Sequence, residues 1–91
     1  MSKKYKEQAH AYKVSHPGGF WAIVAAADEF VAKNLFCQEY HYKDSIFDDL
    51  RSEMLAKDYP VKTPFFNDKT TVKYVLNVIK FFPRVISDIN D

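Results

Sequence analysis

The sequence predicts an all-α fold, a small three- to four-helix bundle packed around one apolar helix at residues 20–36. Three observations predict it. Turn formers are scarce: the 91 residues contain two Gly, adjacent at Gly18 and Gly19, and four Pro, at Pro17, Pro60, Pro64 and Pro83, fewer than a hairpin-rich chain needs. Between these breaks the apolar residues recur at spacings of three and four, the period of one helix face. Aromatic residues make up 16% of the chain, as eight Phe, six Tyr and one Trp. Each such ring removes roughly 150–250 Å² from water, which gives a short chain a sizeable core. The length suits one domain over residues 1–91.

The elements follow from the spacing. A first helix is expected over 3–14, with Tyr5, Ala9 and Tyr12 on one face and Ser2 as its cap. His16-Pro17-Gly18-Gly19 ends it, because Pro17 disfavours a helical His16 and the glycines accept positive φ. The central helix, 20–36, carries Phe20, Val24, Ala27, Val31 and Leu35 in one stripe, widened by Ile23, Ala25, Ala26 and Phe30. A helix apolar around most of its circumference is covered on several sides, and Asp28 and Glu29 mark its one wet edge. A third helix is expected over 45–57. There Ser45 and Asp48 resemble a capping box, and Ile46, Phe47, Leu50 and Met54 supply the apolar stripe.

The segment 59–64, with its two prolines, reads as an extended loop. A fourth helix starts at Asn67 or Asp68, buries Val72, Val75, Leu76 and Ile79, and ends at Pro83. Val85, Ile86 and Ile89 continue the pattern as a further turn. The run 70–79 is rich in β-branched residues, so a strand is the competing reading there; the spacing of three and four favours helix.

Composition narrows the class further. A hydrophobic fraction of 47% and a charged fraction of 27% are ordinary for a globular domain. The net charge of +1 makes the chain as a whole no polycation. Its single cysteine, Cys37, excludes a disulfide framework and a four-cysteine zinc site, and a free thiol fits a reducing compartment. The basic start is not followed by an apolar signal region. The longest apolar run, 20–27, is far short of the ~20 residues that cross a bilayer. A soluble, cytoplasmic protein without a membrane partner is expected.

No catalytic constellation emerges. The serines lack a G-x-S-x-G context, and Asp48, Asp49 and Glu53 read as a solvated face. Cys37 and His41 are half of a metal pair, but His10 and His16 lie in another segment, so no metal and no cofactor is expected. Gly18-Gly19 before a helix suits an anion-binding turn, yet no phosphate-loop motif is present, and a tight inter-helix turn is the better reading.

These features point to a small non-catalytic interaction module, an inhibitor, adaptor or assembly factor that docks on a larger protein. Accessory proteins of viruses and mobile elements are often of this kind. The loop aromatics Tyr40, Tyr42, Tyr59, Phe65 and Phe66 have no helical stripe to join; they either plug the end of the bundle or stand exposed as the anchors for a partner. Charge is segregated: residues 1–16 carry four lysines against Glu7, whereas residues 38–58 carry six acids against Lys43, Arg51 and Lys57. Opposite patches on one chain either neutralise each other within the fold or are complementary on two copies, which allows head-to-tail self-association as a homodimer or higher homo-oligomer. The alternative is nucleic-acid binding. Lys69, Lys73, Lys80 and Arg84, spaced four, seven and four apart, form a basic stripe if one helix persists through Pro83, each step rotating about 40° or less from the last.

Overall fold

The computed structural model describes residues 9–62, 70–79 and 81–88. It is a mixed α/β domain rather than a helical bundle. Strands β1 (His10–Ser15), β2 (Trp21–Ala26), β3 (Arg51–Met54) and β6 (Arg84–Ser87) form an antiparallel sheet in the order β3-β1-β2-β6. Helix α1 (Glu29–Glu39) follows β2, and a short 3-10 helix (Asp44–Asp49) leads into β3. Strands β4 (Pro60–Val61) and β5 (Thr70–Thr71) pair as a second small ribbon, and helix α2 (Val72–Val78) continues directly from β5.

The sheet separates two cores. On one side Tyr12, Val14, Ala22, Val24 and Ala26 meet Ala32, Phe36 and Cys37 of α1, together with Leu50. On the other, Ala11, Ile23, Ala25 and Ile86 meet Leu55, Val61 and the inner face of α2, Val72, Val75 and Leu76. Neighbouring residues of β1 and β2 alternate between these cores, as the pleat requires. The pairing Val14↔Ala22 and Ala11↔Ala25 puts like faces together.

This two-sided burial explains why the central helix was expected and is not there. In β2, Ala22 to Ala26 are all buried. A strand covered on both faces is a continuous apolar run without polar alternation, and over six residues such a run cannot be told from one side of a helix. The chain instead turns at Ala27, and Asp28 caps α1, its Oδ1 accepting the Val31 N–H at 2.9 Å. The expected wet edge of one long helix is the start of a shorter one.

The other boundaries shift for related reasons. Residues 10–14, expected to end the first helix, form β1 with Ser15; Tyr5 and Ser2 lie outside the described residues. Pro17-Gly18-Gly19 turns a hairpin rather than joining helices. His16 N–H donates to Phe20 O, Gly19 N–H donates to His16 O, and Gly19 sits at φ 111°, which glycine adopts without strain. Two glycines suffice because one such hairpin carries the centre of the sheet. The helix expected over 45–57 becomes the 3-10 turn and β3, and no side chain caps that turn. The fourth helix survives only as α2, opened by Thr71, whose Oγ1 accepts from Tyr74 N–H at 3.4 Å. It ends at Val78, and the chain returns through the cis Phe82–Pro83 peptide into β6, where a further helical turn was expected. No described helix is long and apolar enough to cross a membrane.

Candidate interaction surfaces

The rings expected to anchor a partner divide by position. Tyr40 and Tyr42 close the end of α1. Tyr40 N–H donates to Phe36 O, His41 takes the left-handed conformation at φ 61°, and Tyr42 N–H donates back to Cys37 O. That pattern is a Schellman ending with His41 where glycine is usual. It folds both tyrosines onto Phe36, whose side chain is fully buried. The Phe36–Tyr40 and Phe36–Tyr42 ring centroids are 5.2 and 5.5 Å apart. Phe20 meets Tyr40 edge-on at 4.7 Å, and His16 stacks on Tyr42 at 4.5 Å.

The tyrosines are half-buried. They seal the core and present their outer edges only. Tyr40 Oη donates to Asp88 Oδ2 at 2.9 Å. Burial and then this carboxylate push the phenol pKa well above its ordinary value.

Tyr59 is also half-buried, against the α2 side of the sheet. Its carbonyl accepts the Val72 N–H, and Lys57 O accepts the Lys73 N–H, so the 57–59 segment satisfies the start of α2. Phe65 and Phe66 lie outside the described residues.

The single-helix basic stripe does not form. Lys73 is exposed on α2 and Arg84 is half-buried in β6, in separate elements because α2 stops short of Pro83. Lys69 and Lys80 lie outside the described residues.

Gly18 N–H donates to His16 Nδ1 at 2.8 Å and Gly19 N–H to His16 O. The turn therefore spends on itself the donors an anion would need. Beside it, Ser15, His16, Pro17, Asp49 and Arg51 line an open cleft of about 560 Å³ of mixed charge. Cys37 is buried, and burial followed by the nearby Asp44 raises its thiol pKa, so it is held as a neutral thiol. Among the described residues no group of three or more His, Cys, Asp or Glu is placed to hold a metal ion.

The exposed apolar side chains are others. Phe81 is 75% exposed, Phe30 62%, Met54 55% and Tyr74 51%, with Val78 also exposed. Tyr74 and Val78 stand four apart on the outer face of α2, opposite buried Val72, Val75 and Leu76, and Phe81 follows where the chain leaves that helix. Phe30 is on the first turn of α1, against Phe47 at 5.4 Å, with Lys33 Nζ 5.4 Å from the Phe47 ring. Sequence reasoning assigned Phe30 and Met54 to buried stripes. Their exposure follows from breaking the long helices into strand, turn and helix. The apolar spacing also adds Tyr74, Val78 and Phe81 to the stripe of the expected fourth helix, and all three are exposed instead.

Compared with known proteins, the chain matches no family model, and neither a curated protein nor a solved structure is similar to it.

Proposed function

We propose that this chain is a non-catalytic protein-interaction module that docks on a larger protein through the outer face of α2 and the segment that follows it. The observation that carries the reading is the exposure of Tyr74, Val78 and Phe81 within eight residues, with Lys73 beside them. Aromatic side chains are enriched at the centres of protein interfaces. Covering a phenylalanine fully is worth about 1.5–3 kcal/mol, so two exposed rings and a valine supply a hot spot of useful size. The inner face of α2, Val72, Val75 and Leu76, packs against the sheet, and the rings that support the reading stand on the other side.

The test is paired. The wild-type chain and a Tyr74→Ser/Phe81→Ser variant are used as baits in native lysate of the source cell, and thermal melts of both are recorded. The reading expects a protein captured stoichiometrically by the wild type and lost by the variant, at an unchanged melting temperature. Capture of the same protein by both, or of none by either, overturns it.

A further inference from the structure

We propose that β3 is a self-pairing edge, joining two copies of this chain into one continuous sheet about a two-fold axis at Ser52. The inference is independent of the outer face of α2, because it rests on the edge of the sheet and not on that helix. In the register with β1, Leu55 N–H donates to Ala11 O at 2.8 Å, so residues 51, 53 and 55 turn their backbone groups toward β1. Those of Ser52 and Met54 point away from it, as antiparallel alternation demands. Strand β3 is last in the sheet, and among the described residues nothing pairs with its outer edge. An open edge is a template for another strand.

Side-chain charge selects the occupant and the register. Arg51 and Glu53 are exposed and share the face that also carries Lys13, which stands directly opposite Glu53. An antiparallel pair centred on Ser52 puts Arg51 against the partner's Glu53 and Glu53 against the partner's Arg51. The row then alternates in sign, from Lys13 to Glu53 to the partner's Arg51. Centring on Glu53 would oppose two glutamates, and centring on Arg51 two arginines; like charges directly opposite are destabilising. Of the registers centred on Arg51, Ser52 and Glu53, the one at Ser52 alone pairs opposite charges.

On the other face, exposed Met54 comes opposite the partner's Leu50, an apolar match. The Met54 N–H reaches the partner's Leu50 carbonyl; Leu50 N–H is already given to Phe47 O. Ser52 hydroxyl donates to Glu29, so the axis also brings two Glu29 carboxylates toward each other, a repulsion that keeps the pair reversible.

Sedimentation velocity on the full chain, from low micromolar to near-millimolar, is expected to show a monomer–dimer equilibrium. Glu53→Arg alone sets Arg against Arg across the axis and weakens the dimer about tenfold or more, the effect of losing two attractive pairs and gaining two repulsive ones. Arg51→Glu/Glu53→Arg restores it. Both variants place the same Arg beside Lys13, so their difference reads the interface and not the fold. Ser52→Pro removes an outward N–H without touching the β1 ladder and leaves only monomer. A monomer throughout the concentration range overturns the proposal. So does a dimer that the double variant fails to restore, since that dimer would use another surface.

Discussion

Tyr40 illustrates how one side chain can belong to both the core and the surface. Its ring packs between Phe20 and Phe36, while its hydroxyl reaches Asp88 near the end of β6. Because the folded state holds the phenolic proton above the ordinary value of 10.0, the pH dependence has a definite sign. Below pH 10 both folded and unfolded chains keep the proton, and this group adds no slope. Above it the unfolded chain loses the proton first, so stability falls as pH rises. Urea melts from pH 8 to about pH 11 should show this fall, and Tyr40→Phe should flatten it. At neutral pH the same variant should lose about 0.5–1.5 kcal/mol, the net worth of one hydrogen bond. A fall in stability equally steep in the variant would mean that other groups govern the alkaline limb. That Tyr40 could plug the end of the core was legible in the sequence. That it reaches Asp88 was not, because the two lie 48 residues apart and only the sheet order brings them together.

At the scale of elements, breaks were easier to read than periods. Pro17-Gly18-Gly19 marks a reversal, Ser15 and Trp21 become register partners, and the hairpin lies where the sequence breaks. The Val72, Val75, Leu76 stripe likewise reports α2 correctly, since one face is buried and the other wet. The failure lies in the 20–27 run, where burial on both faces erases the alternation that identifies a strand. Asp28 was the available correction. An Asp three residues before Val31, at the end of an apolar run, is a helix-start signal. Read that way, it divides the long stripe into β2 and α1. The C-terminus of α1 offers a further test. His41 occupies a left-handed position at which a Cβ costs roughly 1–2 kcal/mol, while glycine forfeits part of that gain through its freer unfolded chain. His41→Gly should therefore raise stability by about 0.5–1 kcal/mol in denaturant melts with an unchanged slope. A loss would show that the exposed imidazole contributes more than the backbone strain removes.

The whole molecule is organised by β2, which is paired on both edges and covered on both faces. Native-state hydrogen exchange should show this directly. The amides of Ala22 and Val24, bonded toward β1, should exchange only by global unfolding, and those of Ser52 and Met54 on the β3 edge should exchange far faster under conditions of monomer. Equal protection at both places would contradict the two-core arrangement. The candidate surfaces belong to this scale too. The sequence shows which residues are apolar, but exposure depends on how many layers cover each element. For that reason Phe30 and Met54 could not be placed from spacing alone.

Three of the six residues in β2 that divide the cores are alanines, Ala22, Ala25 and Ala26. Small side chains let helix and ribbon settle close to the sheet from either side, and the molecule measures 34 × 33 × 19 Å. A plate of those proportions offers two broad, chemically distinct sides and a rim from very little chain. Enlarging Ala22 or Ala26 would push α1 off the sheet, and enlarging Ala25 would push away the α2 layer, so each side of the plate has its own thickness gauge.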